Sequence, residues 1–184
     1  MHELNDQELY QALKHARSLD EAAGRKILTQ FQSDQPVLSQ MIFNLFPAAI
    51  AEKNQEMSYL FMDLCFDVIS IYQHAFGKMP TQNELSPEWL EQQASLIGTQ
   101  LQSIAKQKQA DNKTQASLEE HFALNSAVEV NQTGLVRFMN ESVNTYAAED
   151  PNRNPAIKIT QTMLFVMIHL LSNIYNHTKQ DTLH

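Results

Sequence analysis

The sequence predicts an all-α fold, a bundle of about seven helices, and three observations carry that expectation. Apolar residues recur at spacings of three and four rather than two. Glycine (4) and proline (6) are rare in 184 residues, and several fall where helices should start or stop. One stretch, QEMSYLFMDLCFDVISIYQHAFG at 55–77, covers most of a helical wheel with apolar side chains, so this helix must be buried on nearly every side.

In chain order, Asn5 or Asp6 caps a first helix that runs to about Arg17, with Leu9, Ala12, Leu13 and Ala16 inward. Ser18-Leu19-Asp20-Glu21 reads as a capping box opening a second helix, which carries Ala23, Ile27, Leu28 and Phe31. Pro36 suits the first turn of a third helix that Pro47 kinks or ends, and a loop near Lys53-Asn54 leads into the central helix. Gly77 is its left-handed cap, and Pro80 prevents continuation.

Ser86-Pro87-Glu88-Trp89 opens a connector helix over 87–109. Its Leu90, Ala94, Ile97, Leu101 and Ile104 form a narrow seam that fits an outer helix laid on its own core or a homodimer contact. Residues 110–114 read as a linker. Ser117-Leu118-Glu119-Glu120 caps a helix through about Ala127, and Leu135, Val136, Phe138, Met139 and Val143 mark another. Asn154-Pro155 starts the last helix, where Met163 to Ile168 is apolar all round, making it a second central helix.

The length suits one domain, 1–184, able to bury a core without metal or disulfide staples. Within it the halves resemble each other: SLDE at Ser18 matches SLEE at Ser117, Asp34-Gln35 with Leu38 matches Asn131-Gln132 with Leu135, and Ile71-Tyr72-Gln73-His74 matches Ile174-Tyr175-Asn176-His177. This points to an internal duplication of 18–77 and 117–178, with the two central helices packed antiparallel about a pseudo-twofold axis. Such an axis would bring Asp67 close to His169, a buried pair that would rationalise a histidine inside an apolar run.

A net charge of −8 opposes nonspecific attraction to nucleic acid or anionic lipid. The loose basic cluster Lys106, Lys108 and Lys113 reads as a solvated helix end, and Asp63 and Asp67 interrupt the central helix too much for a membrane span. The single cysteine, Cys65, lies in the most apolar helix, which fits a reduced thiol and a cytoplasmic protein.

Glu56, Asp63, Asp67, Ser70 and His74 are spaced seven, four, three and four, so they share one narrow face of the central helix. The simplest reading is a solvated face. The chemical alternative is a divalent cation held by Asp63 and Asp67, with His74 or Glu56 completing the shell, as in a metal-dependent hydrolase. Otherwise no cofactor is expected: a di-iron bundle lacks its Glu-x-x-His pairs, zinc lacks a histidine pair or second cysteine, and phosphate loops lack glycine. The leading expectation is a non-catalytic helical interaction or regulatory protein with a protein partner. A sensor for a small apolar ligand stands behind it.

Overall fold

A computed structural model of the chain describes residues 1–86, 88–89, 91–93, 95 and 132–181, the last four by backbone alone. Outside these lie the seam of the connector helix, the basic cluster, the linker at 110–114 and the capping box at Ser117 with its helix. Among the described residues the fold is all-α. Its helices are α1 (Asp6–Ser18), α2 (Glu21–Asp34), α3 (Pro36–Gln40), α4 (Phe46–Ala51), α5 (Gln55–Phe76), α6 (Thr133–Ala148) and α7 (Ile157–Asp181).

Local chemistry accounts for most boundaries. Asn5 Oδ1 accepts from the amides of Gln7 and Glu8 while the Glu8 carboxylate accepts from the Asn5 amide, a complete capping box. The second cap differs from the sequence reading: Asp20, not Ser18, caps α2, accepting from the Ala23 amide at 2.8 Å. The Ser18 hydroxyl donates instead to the His15 carbonyl at 2.8 Å and closes α1. Pro47 does not end its helix: a π turn over Met41–Leu45 joins α3 to α4, with the Phe46 amide bonded back to the Met41 carbonyl, and α4 runs on to Ala51. Gly77 closes α5 at φ +89° with ψ near extended, a conformation only glycine takes without strain.

α5 and α7 form the core with α1, α4 and α6 packed around them. On α2, a Cβ at Gly24 would stand 3.3 Å from Phe66 of α5, so the missing side chain gives that helix its close seat.

The two central helices run parallel, which corrects the antiparallel packing expected from the sequence. At their amino ends Glu56 meets Arg153 and Asn54 Nδ2 donates to the Asn152 carbonyl at 3.2 Å. At their carboxyl ends Tyr72 meets Ser172, and Phe76 meets Tyr175 at 5.9 Å between centroids. The long stretch of chain between them is what lets the second helix start beside the start of the first. The span Pro151–His177 is long and apolar enough by composition to cross a membrane, yet 67% of its most apolar window is buried inside the protein.

Candidate functional site

The five residues of the α5 polar face part company once α1 and the turn before α7 are in place. At the amino end, the exposed Glu56 carboxylate accepts from Arg153 Nε and Nη2, each at 2.7 Å. Asp63 is exposed. Asp67 is half-buried, with Arg17 Nε of α1 3.8 Å from its Oδ2. Ser70 is 1% exposed, and its hydroxyl has no hydrogen-bond partner among the described residues. At the carboxyl end, exposed His74 stacks on His15 of α1, with centroids 4.3 Å apart.

Burial raises the Asp67 carboxyl above its ordinary value, Arg17 opposes that, and Asp63 adds to it. The two aspartates therefore feel one another. Of the residues expected to complete a cation shell, Glu56 is paired with Arg153, and His74 lies ring against ring with His15, a contact through the ring face and not the nitrogens. Among the described residues no group of three carboxylate, histidine or cysteine side chains could hold a metal ion.

The axis that would set Asp67 against His169 required antiparallel helices. In the parallel arrangement Asp67 finds its counter-charge in Arg17. His169 is 8% exposed and lies stacked on Phe165, 6.3 Å between centroids, and burial depresses its pKa.

Three arrangements were not foreseen from the sequence. Arg153 is a hub: besides Glu56 it donates to Glu149 at 3.1 Å and to the Tyr146 carbonyl at 2.8 Å, with its guanidinium carbon 3.8 Å from the Tyr146 ring centroid. The second arrangement is a buried hydroxyl network joining Tyr72 to Ser172 and the Ile168 carbonyl.

The third is a pair of glutamine clamps. Gln132, 2% exposed, accepts from the Leu4 amide at 3.0 Å and donates to the His2 carbonyl at 2.9 Å. Gln35, also 2% exposed, donates to the Pro80 carbonyl at 2.7 Å. The matching pairs Asp34-Gln35 and Asn131-Gln132 were the signal available in the sequence, although nothing local says what a glutamine will grip.

No protein-family model, curated protein or solved structure matches this chain.

Proposed function

We propose that the chain is a non-catalytic helical protein whose work is to bind another protein. The observation that carries this reading is the run from Pro36 to Ala51, which holds no ionisable side chain in a chain of net charge −8. Its inner side, Leu38, Ile42, Phe46 and Ile50, is buried; its outer side leaves Val37 and Leu45 each 56% exposed. Eight residues of ideal α-helix would set those two about 80° apart. The π turn takes about one more residue than an α turn and brings Leu45 back towards the azimuth of Val37. This uncharged side, where Val37 and Leu45 lie exposed with the carboxamides of Gln40 and Asn44, suits the charge-depleted centre of an interface.

The two-halves reading belongs to the same proposal. Gln35 and Gln132 each open a helical run, 36–51 and 133–148, that packs on the central helix following it. Equivalent tyrosines, Tyr72 and Tyr175, then meet across the seam, as related halves with parallel central helices would place them. A divalent-cation hydrolase at Asp63 and Asp67 has less support, since among the described residues no third carboxylate, histidine or cysteine converges with them to hold an ion.

The test is recovery of a partner from the native cell with tagged wild-type chain and with Val37→Glu/Leu45→Glu. A protein retained by the first and lost by a folded second supports the reading; equal recovery by both defeats it. Thermal unfolding of metal-stripped protein with Mg²⁺ or Mn²⁺, beside Asp63→Asn/Asp67→Asn, decides the hydrolase: stabilisation of wild type alone would move the function there.

A further inference from the structure

The amino end of α6 holds an extended piece of the same chain in the way a peptide receptor holds its ligand. Both ends of the Gln132 carboxamide close on backbone, accepting from the Leu4 amide and donating to the His2 carbonyl. Such contacts read an extended main chain whatever its side chains. The side chains between and beside them are read separately. Glu3 Oε1 accepts from the Thr133 amide at 3.0 Å, at the first residue of α6, where the helix dipole favours a carboxylate. Leu4 is 5% exposed and joins the hydrophobic core.

A similar device appears at α3. There Gln35 holds the Pro80 carbonyl, Gln82 Oε1 accepts from the Val37 amide at 3.1 Å, and Met79 is 1% exposed. In both places a buried glutamine before a helix grips a remote carbonyl, a remote side-chain oxygen caps a first-turn amide, and an apolar side chain of the gripped segment is buried. The contact set is thus repeated within the chain, once on an internal segment and once on residues 2–4.

We propose that the groove formed by Gln132, Thr133 and the amino end of α6 binds an extended Glu-Leu segment of a partner protein, and that residues 1–4 occupy it in cis as a competing ligand. This rests on the interaction reading above and names the class of segment recognised. The cis segment is tethered at high effective concentration, so an external peptide binds the wild-type chain weakly and gains when the strap is loosened.

The experiment uses full-length protein and a fluorescent peptide of residues 1–7, Met-His-Glu-Leu-Asn-Asp-Gln. A strap-weakened chain, Glu3→Ala/Leu4→Ser, should bind it at least about ten-fold more tightly than wild type, and adding Gln132→Ala should abolish the gain. Binding no tighter than wild type, or binding that survives Gln132→Ala, overturns the proposal. Should the weakened chain fail to fold, the wild-type chain decides through hydrogen exchange. Millimolar peptide should speed exchange at the Leu4 amide of the protein, and unchanged exchange overturns it. A peptide-free dimer dissolved by Gln132→Ala would assign the groove to a second copy of the chain, which also overturns it. Loss of the Glu-Leu groove would leave the Val37 and Leu45 test standing, so the two readings fail separately.

Discussion

Tyr72 and Tyr175 meet ring against ring between the parallel central helices, centroids 5.7 Å apart. Each hydroxyl also closes a bond. Tyr72 Oη donates to the Ile168 carbonyl at 3.0 Å, so the 2.7 Å contact with Ser172 must have Ser172 Oγ as donor. Tyr175 Oη donates to the Gly77 carbonyl at 2.9 Å. Together they hold the carboxyl end of α5 in register with α7.

Tyr72→Phe should therefore cost more than Tyr175→Phe. The first leaves Ser172 Oγ buried without its acceptor, a loss of about 1–2 kcal/mol, or roughly 2–8 °C in the unfolding midpoint of a domain this size. The second frees a carbonyl on exposed Gly77 that water can reach. Thermal unfolding of both variants checks the order, and equal losses would sink the account.

Arg153 ties the turn before α7 to the start of α5 through Glu56, Glu149 and the Tyr146 carbonyl and ring. Lysine keeps the charge but not the planar fork or the stacking. Arg153→Lys should lower the unfolding midpoint nearly as far as Arg153→Ala and speed proteolysis between 149 and 156. A lysine variant indistinguishable from wild type would show that charge alone suffices.

Asp67 gives a pH signature. Because burial raises its folded pKa, the unfolded chain ionises first as pH climbs past the ordinary 3.8, and stability falls until the folded carboxyl also ionises. At neutral pH Asp67→Asn should unfold no earlier than wild type, and the difference should close below that ordinary value. An earlier midpoint at neutral pH would mean that the contact with Arg17 outweighs burial.

His169 works in the opposite sense. Its folded pKa lies below the ordinary 6.5, so the unfolded chain takes up the proton first and stability drains as pH falls from there towards the folded value. His169→Phe, which keeps a ring against Phe165, should remove that part of the acid-side loss. The wild-type minus variant difference in unfolding free energy, followed from neutral pH downward, reads it directly.

Cys65 is fully buried and burial pushes its thiol well above the ordinary range. Native protein should react with a thiol reagent at least about a thousand-fold more slowly than unfolded chain, with labelling that tracks global unfolding in denaturant. Fast labelling under native conditions would reveal a local opening of α5.

Local signals were legible without coordinates because they act within one or two turns. The Asn5 cap, the loop at Lys53-Asn54, Pro36 in a first turn, Gly77 as a stop and the wheels of α5 and α7 all depend on neighbours close in sequence. The Ser18 cap went astray on the same scale, since Ser18 and Asp20 competed for one helix start and a serine can equally bond back to its own helix. The polar positions of α5 share one side by spacing alone, yet Ser70 is buried and Asp67 half-buried, so the side is not one solvated face. A face becomes a site only if its members converge, and Glu56, Ser70 and His74 met three different surroundings.

Periodicity and caps were enough for the helical class, for the bounds of α1 and α5 and for which two helices are central, because those signals are local and burial follows composition. It took the packed chain to set α5 and α7 parallel, to bring Arg17 to Asp67 and to close Gln132 on residues 2–4. Each of these depends on which of many chemically equivalent partners the long connections bring within hydrogen-bond reach, and apolar burial, having no direction, does not choose among them.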